Sequence, residues 1–270
     1  MRYFIHIAYD GGQYSGWQRH PGVLSVQEVL EICISGIFKK PLEIIGCGRT
    51  DAQVHASQFF FHVDIEQTWD FDLLFRLNKM LPNNIAVFDI IPVEGKPHAR
   101  FDAFSRTYDY FIHRYKDPFL SQYSSLYLYP SLNLDKMNTA VKLLLLYDDY
   151  RAFCKSPLKY EHTICHISAV SLSVSSNEDK IHFQISSNRF LGGMIRIIVA
   201  DLLAIGRGEL SLDEFTSYFE SKENPSILKP AYPEGLFLSK VTYPYLDLAS
   251  RSSFASYFES QNPENWQSVG

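Results

Sequence analysis

The sequence predicts an α+β protein with a largely antiparallel sheet. Short strands are joined by hairpins or by single helices, and strands do not alternate regularly with helices as they do in parallel α/β proteins. Each half of the chain mixes strands and helices in similar proportions, with weak signs of an internal duplication. The 270 residues are 46% hydrophobic and 15% aromatic, which supports a sizeable core and excludes disordered, collagenous and disulfide-dependent classes.

The elements of the first half follow from the spacing of apolar residues. Alternation over residues 3–9 predicts a strand. Ser25, with Glu28 three residues later, forms a capping box that begins a helix over 26–38. Asp70 is expected to cap a second helix, which the next proline ends. Further strands are predicted over 42–45, 54–63 and 85–93.

The second half contains the same kinds of elements. A strongly apolar helix over 194–205 has hydrophobic residues on nearly all of its faces and should be buried. The remaining elements are strands over 107–114, 164–174, 180–186 and 236–243 and helices over 134–146 and from Ser211. We therefore expect halves over 1–105 and 106–245, followed by a tail over 246–270 whose Ser-, Asn- and Gln-rich composition indicates mobility.

Composition and charge narrow the class of protein. Apolar runs stay short of the ~20 residues that cross a bilayer, and the first residues lack the pattern of a signal peptide, so we expect a cytoplasmic protein with no membrane partner. The four cysteines show no CxxC spacing, which is typical of a reducing compartment. A formal net charge of −5 argues against indiscriminate coating of nucleic acid but allows a local basic groove.

Neither a cofactor nor a metal is expected. The sequence has no Walker-type loop and no GxGxxG after a strand, so no nucleotide cofactor is indicated. His162, Cys165 and His166, with Cys154 upstream, are the candidate metal ligands. Their spacing matches no standard zinc site, and an alternating strand explains part of the cluster, so we predict no metal centre.

The segment GCGRTDAQVHAS, residues 46–57, is the most informative for chemistry. Its two glycines allow the chain to deliver Arg49 and Asp51 to one loop between two strands. Arg49 could keep Asp51 ionised for work as a nucleophile or base, or it could hold a phosphate while Asp51 acts on a sugar or a base. The residue types alone also fit a surface β-turn with a salt bridge.

GRTDAQVHAS closely resembles the GRTDAGVHA box that carries the catalytic aspartate of the TruA family of tRNA pseudouridine synthases. Four further segments resemble motifs of that family in the same order along the chain. They are YDGGQYSGWQRH, RFDAFSRTYDYFIHRY, RFLGGMIRIIVADLLAIGRG and PAYPEGLFLSKVTYP. Together the five segments cover nearly the whole chain apart from the tail.

The resemblance implies both a fold and a set of site residues. The fold is a pseudouridine synthase fold with helices on one side of the sheet, in which the sheets of two halves join across a central cleft with Asp51 at its floor. Asp51 is then the catalytic aspartate, and Arg49 helps to flip the target nucleotide. Tyr108 stacks on the target base, Arg196 pairs with the aspartate, and Leu236 is an apolar contact beside the site.

These assignments agree with the chemistry, although each residue type has a second interpretation. A uridine extruded from a stem needs an aromatic face to replace its lost stacking, and the phenol of Tyr108 can supply one. Tyr108 also fits a core position in its alternating strand. Arg196 could neutralise a buried carboxylate, or it could reach solvent from its apolar helix.

Contacts with RNA outside the pocket are expected from two segments. Residues 96–116 contain five Lys or Arg residues and two acidic residues, which predicts a basic track that includes Arg106 and Arg114. Gln18 and Arg19 lie beside two aromatic residues in a second candidate loop. A solvated strand face and a packed aromatic loop are the respective alternatives.

The chain departs from the family pattern at a few positions. Gln53 stands where the family usually has glycine, so this residue either adopts a positive φ at a cost of about 1 kcal/mol or forms another turn. Gln58 and Phe59 replace a common Gly-Gln pair.

The resemblance implies an isomerase that converts uridine to pseudouridine at positions 38, 39 and 40 of the tRNA anticodon stem-loop. It also implies a homodimer in which one tRNA touches both subunits. The alternative from another class is a catalytically weakened paralogue that binds RNA stem-loops. An aspartate-dependent hydrolase is disfavoured because no second acid is well placed.

Overall fold

The computed structural model describes residues 1–223, 229–251, 254–255, 258 and 266–269. The chain divides into two compact units, one comprising Met1–Arg106 with Phe237–Phe254 and the other Thr107–Leu236 with Ala255–Gly270. The sequence groups residues 237–245 with the second half, whereas in this division they belong to the first unit. Each unit combines a sheet with helices, and the predicted α+β class is confirmed.

Ten strands and five α-helices are described along the chain. Strands β1–β10 are Arg2–Tyr9, Ile44–Gly46, His55–Asp64, Ile85–Val93, Ser105–His113, Ser125–Leu126, Ile167–Ser175, Lys180–Ser187, Leu236–Thr242 and Trp266–Ser268. Helices α1–α5 are Val26–Phe38, Leu73–Met80, Leu134–Leu143, Met194–Gly206 and Leu212–Ser221. Among these residues, no helix is both long and apolar enough to cross a membrane.

Local signals set the ends of the helices. The hydroxyl of Ser25 accepts a hydrogen bond from the Glu28 amide at 3.3 Å, which confirms Ser25 as the N-cap of α1 and forms the Ser25 half of the predicted capping box. The cap of α2 is Asp72, not Asp70 as predicted, because the Asp72 carboxylate accepts from the Phe75 amide at 2.9 Å. The predicted helix over 134–146 ends as an α-helix at residue 143 and finishes in a tighter 3₁₀ turn.

The sheet of the first unit has the strand order β9-β3-β1-β4, with β2 also paired to β3. Strand β1 runs antiparallel to both β3 and β4, and Ile5 lies opposite Phe61 on one side and Ile90 on the other. Among the described strand pairings of this unit, only the short one of β3 with β9 is parallel. The prediction of a largely antiparallel sheet is therefore confirmed here.

One face of this sheet is covered by helices. Side chains alternate between the faces of a strand, so Tyr3, Ile5 and Ile7 point to the same side. The ring of Tyr3 lies 5.1 Å from that of Trp69, which in turn lies 5.4 Å from Phe38 at the end of α1. Ile5 and Ile7 are fully buried. Helices α1 and α2 contact each other and cover this face of the sheet.

The opposite face carries a layer of aromatic and histidine side chains, here called the aromatic–histidine layer: Phe4, His6, Phe60, His62 and Tyr243. His6 stacks on Phe60 at a centroid distance of 4.7 Å, and Phe4 contacts both His62 and Tyr243. All five side chains are buried. The polar groups of the layer find partners in strands and turns: His6 lies 2.8 Å from an Asp89 carboxylate oxygen, and His62 and Tyr243 bind the backbone of Ala99.

The second unit has the strand order β10-β7-β8-β5, with β6 beside β5. Strands β7 and β8 form an antiparallel hairpin, and β10 extends it on the other edge of β7. Helix α3 packs against α4 and β7. Helix α4 has buried residues around most of its circumference, as its apolar composition predicts.

The described residues of the tail pack against the two units. In the first unit, Gln58 accepts a hydrogen bond from the Val241 amide and donates one to the Leu248 carbonyl. In the second, Phe258 is buried against Phe111. The rest of the tail lies outside the described residues, and its mobility stays a prediction. Gln58, a departure from the family pattern, thus holds the start of the tail.

The aromatic–histidine layer makes the first unit sensitive to acid. His62 accepts a hydrogen bond at Nδ1 from the Ala99 amide at 3.1 Å, so its imidazole is neutral. Burial, reinforced by the positive charge of Arg2, lowers the pKa of His62 to about 4. Between pH 6.5 and 4 the unfolded chain therefore binds a proton that the folded chain does not, and stability falls as the pH falls.

We expect His62→Asn to reduce this loss of stability. The Asn carbonyl can still accept from the Ala99 amide, but it does not titrate. Between pH 7.5 and 5, the free energy of unfolding of the variant should fall by about 2 kcal/mol less than that of the wild type. Urea unfolding at both pH values measures this difference. The exposed His20, changed to Asn, serves as the control, and an equal pH dependence in His62→Asn and wild type would contradict the prediction.

Candidate active site

The loop between β2 and β3, residues 47–54, presents an exposed carboxylate on a closed turn. We call it the active-site loop because Asp51 is the candidate catalytic residue. The Cys47 amide donates to the Phe60 carbonyl at 2.7 Å and so continues the pairing of the two strands. At the other end, the Val54 amide donates to the Asp51 carbonyl at 3.2 Å and closes a turn. Asp51 and Arg49 are both exposed on this loop.

Thr50 anchors the active-site loop to the end of β1 and to the loop over 10–22. Its buried hydroxyl forms a hydrogen bond of 2.9 Å with the hydroxyl of Tyr9, at the end of β1. Its carbonyl accepts from the Trp17 amide at 3.2 Å, and two residues beyond Asp51 the Gln53 amide donates to the Tyr14 carbonyl at 3.1 Å. The glycine-rich loop over 10–22 therefore underlies the residues on either side of Asp51.

Gly16 makes this close approach possible. Its φ is +93°, and a Cβ at this position would lie 2.4 Å from the Thr50 carbonyl oxygen. The neighbouring Trp17 is buried, with its ring 4.1 Å from that of Phe59, and Tyr14 is buried as well. The aromatic residues of this loop are thus core residues, as the alternative in the sequence allowed. Gln18 is half-buried and Arg19 exposed, and the Arg19 guanidinium donates to the Glu31 carboxylate at 2.7 Å.

His55 ties the start of β3 to the end of β1. Its Nδ1 accepts from the Gly11 amide at 3.0 Å and lies 3.0 Å from an Asp10 carboxylate oxygen. Its ring stacks on Phe237 at 4.5 Å. Sequence reasoning missed the supporting roles of His55, Gly16 and Tyr9, although all three lie within or beside the YDGG and GRTDA segments.

Arg106 holds the base of the active-site loop. Its guanidinium donates to the carbonyls of Cys47 and Arg100, both at 2.8 Å, and to that of Ala103 at 3.1 Å. These bonds join the first residue of the loop to the turn that precedes β5. The structure thus gives Arg106 a backbone-holding role, and its predicted contact with RNA stays a prediction.

Arg114 has a similar environment in the second unit. Its guanidinium donates to the carbonyls of Tyr129 and Glu178, both at 3.0 Å, and only 11% of its side chain is exposed. Little of this side chain is available to a partner in this conformation. Its predicted contact with RNA also stays a prediction.

The other predicted site residues lie in the second unit. Tyr108 is buried on β5, with its ring edge-on to Phe190 at 5.1 Å. Arg196 is half-buried on α4, and its Nε donates to the Ala231 carbonyl at 2.7 Å while the Ala231 amide donates back to the Arg196 carbonyl at 2.8 Å. Leu236, the first residue of β9, is buried. Helix α4 and the segment before β9 therefore fix the orientation of Arg196.

The candidate metal ligands are engaged elsewhere. His166 lies 2.8 Å from an Asp148 carboxylate oxygen, and Arg189 approaches His162 at 3.0 Å. Burial raises the pKa of the Cys165 thiol to about 12, which disfavours the thiolate that a metal requires. Within the described part of the chain, no three His, Cys, Asp or Glu side chains are grouped to hold a metal ion.

Comparison with known proteins points to one family. The profile of a family described as tRNA pseudouridine synthase matches residues 140–244. Proteins named tRNA pseudouridine synthase A match nearly the full chain. The one from Bacteroides thetaiotaomicron is 39% identical over 98% of this chain and 98% of its own length. Those from Porphyromonas gingivalis and Exiguobacterium sibiricum are 38% and 34% identical, each over 90% of this chain and 97% of their own length.

The chain belongs to the tRNA pseudouridine synthase A family. The resemblance inferred from the five motifs is therefore confirmed. The match to the Bacteroides thetaiotaomicron protein covers 98% of this chain and so includes most of the tail. The family motifs alone suggest no counterpart for the tail.

Gln53 is where the chain differs from the usual glycine of the pseudouridine synthase A box. Its φ is +64°, so the residue adopts the left-handed conformation rather than another type of turn. The position keeps its amide bond to the Tyr14 carbonyl. The turn that follows Asp51 is thus formed in spite of local strain.

We expect Gln53→Gly to raise the free energy of unfolding by about 0.5–1 kcal/mol, because glycine tolerates positive φ without the steric cost. Ala52→Gly is the matched control. Ala52 has no positive φ, so glycine there should lower stability by a similar amount through the entropy of the unfolded chain. Chemical denaturation of the three proteins measures both effects. Destabilisation by Gln53→Gly would show that the side chain matters more than the backbone strain.

Proposed function

We propose that this protein isomerises uridine to pseudouridine in tRNA, at positions 38, 39 and 40 of the anticodon stem-loop. The observation that carries the proposal is Asp51, exposed on a turn that hydrogen bonds hold from below, in a chain whose relatives are named tRNA pseudouridine synthase A along almost their full length. Preorganisation of a reacting group in this way supplies catalytic power, because little reordering is needed at the moment of reaction.

The proposed reaction moves one glycosidic bond. Asp51 promotes cleavage of the bond between uracil N1 and ribose C1′, as a nucleophile or as a base. The detached uracil turns, C5 bonds to C1′, and the hydrogen at C5 leaves as a proton while N1 gains one. The atoms of substrate and product are the same, so the reaction needs no co-substrate.

The remaining site residues have proposed roles around this chemistry. Arg49, exposed two positions before Asp51, helps to extrude the nucleotide by holding phosphate. Tyr108 provides the aromatic face for the target base, and Leu236 an apolar contact. Arg196 compensates the charge of the catalytic carboxylate, and the hydrogen bond from its Nε to the Ala231 carbonyl orients the guanidinium.

We also propose the setting in which the reaction takes place. The protein acts in the cytoplasm as a homodimer, with one tRNA touching both subunits. These three points rest on the resemblance of the motifs to those of the family. The alternative of a weakened RNA-binding paralogue gains no support, because Arg49, Asp51, Tyr108 and Arg196 are all retained and the relatives above are named as synthases.

We expect Asp51→Asn to abolish turnover while tRNA binding stays within a few fold, because the lost charge serves the chemistry more than the affinity. The assay is release of tritium from tRNA labelled at C5 of uridine, since the new bond at C5 expels that hydrogen. Binding of the same tRNA is measured in parallel.

Asp70→Asn is the matched control, because it removes an exposed acid elsewhere in the same unit. It should release tritium at the wild-type rate. Wild-type turnover by Asp51→Asn would refute the role of Asp51. A folded wild-type protein that binds tRNA without releasing tritium would favour the RNA-binding paralogue.

A further inference from the structure

Two phenylalanines are exposed on one turn of the first unit. The turn over 98–104, here called the aromatic turn, lies in the connection between β4 and β5. Phe101 is 76% exposed and Phe104 is 55% exposed. A single exposed apolar side chain is common on protein surfaces, whereas two large aromatic rings on a short turn indicate a binding surface.

Hydrogen bonds fix the backbone of the aromatic turn, so the exposure of its two phenylalanine rings does not result from a flexible chain. The His98 amide donates to the Asp102 carboxylate at 2.8 Å, and the Asp102 amide donates to the His98 carbonyl at 3.1 Å. Two members of the aromatic–histidine layer bind Ala99. The Ala99 amide donates to His62 at 3.1 Å, and the hydroxyl of Tyr243 donates to the Ala99 carbonyl at 2.6 Å. The backbone therefore presents the rings to solvent in one fixed arrangement.

Phe101 forms the outer end of a ring stack. One face of its ring lies on the imidazole of His98, at a centroid distance of 4.3 Å and an interplanar angle of 29°. His98 in turn contacts the buried His62 edge-on at 4.9 Å. Phe101 is 76% exposed, so the part of its ring that His98 does not cover can contact a further planar ring. An anchored aromatic of this kind can stack on a nucleobase.

The charges around this ring favour RNA over an apolar partner. The Arg100 guanidinium lies 5.8 Å from the centre of the Phe101 ring, and both Lys96 and Arg100 are exposed. The nearest acid in the turn, Asp102, already accepts hydrogen bonds from His98 and from the hydroxyl of Tyr245. Cations beside an aromatic face match a base with its neighbouring phosphates.

Arg106 connects the aromatic turn to the active-site loop. It donates to the Arg100 carbonyl on one side and to the Cys47 carbonyl on the other, both at 2.8 Å. A nucleotide bound at Phe101 would therefore be held in a fixed relation to Asp51. Such a contact would help to set which nucleotide enters the active site.

We propose that Phe101 is a base-stacking site for the RNA substrate, which takes an unpaired or unstacked base close to the target uridine, with Arg100 and Lys96 on its phosphates. The inference rests on the proposed function, since it takes tRNA as the substrate. Phe104 is the second exposed aromatic residue of the same turn.

The test is the affinity for unmodified tRNA in the Asp51→Asn background, where RNA is bound but not turned over. Phe101→Ala should raise the Kd about 5- to 100-fold, the cost of one lost base–aromatic stack. Phe101→Trp keeps an aromatic face and should bind within about 3-fold of the parent. Thermal melting of each variant should be unchanged because the side chain is exposed.

Phe75→Ala is the matched control. Phe75 is 59% exposed on α2, which covers the opposite face of the same sheet, and it too has a basic neighbour, with Lys79 5.6 Å from the ring centre. Its removal should leave the Kd unchanged. This control separates a local stack from a general effect of removing an exposed aromatic residue near a cation.

Three results would overturn the inference. Phe101→Ala could bind tRNA as its parent does, or Phe101→Trp could lose as much affinity as Phe101→Ala. Phe101→Ala could instead change the sedimentation velocity of the protein at unchanged tRNA affinity, which would assign the surface to a second copy of the chain. In each case tritium release by the wild type would leave the proposed function intact, whereas a wild type that neither binds tRNA nor releases tritium would refute both.

Discussion

The close approach of the backbone at Gly16 to that at Thr50 is the constraint on which the active-site loop depends. A side chain at position 16 would collide with the Thr50 carbonyl, so only glycine lets the two loops touch. Once they touch, the amides of Trp17 and Gln53 find acceptors across the contact. The loop can then expose its aspartate without becoming loose, and the catalytic role proposed for Asp51 requires this because a displaced group loses much of its effect on the reacting bond.

The two faces of the sheet in the first unit interact with their surroundings in different ways. The helical face is apolar and stabilises the unit through the burial of residues such as Ile5 and Ile7. The other face uses neutral imidazoles as hydrogen-bonding groups, and His62 shows why: a ring nitrogen can accept from a turn while the ring itself packs against Phe4. This arrangement lets an irregular turn lie against a buried layer with its amides satisfied.

The arginines illustrate how a charge pattern can serve two purposes. The excess of basic residues over 96–116 predicts a track for phosphates, yet Arg106 and Arg114 direct their guanidinium groups at backbone carbonyls. A planar fork of five donors can satisfy several carbonyls that turns leave without partners. Their positive charge still contributes to the field at the surface, so structural support and attraction of RNA are compatible.

The sequence by itself determined the features whose signals are local: the helix begun by Ser25, the strand over 85–93, and a loop between two strands that carries Asp51. Capping and periodicity report interactions over three or four residues, so they can be read along the chain. The tertiary structure alone decided that Arg106 reaches Cys47, 59 positions away, and that a turn between two strands leaves Phe101 exposed. Such features depend on which distant segments meet, and no local pattern encodes that meeting.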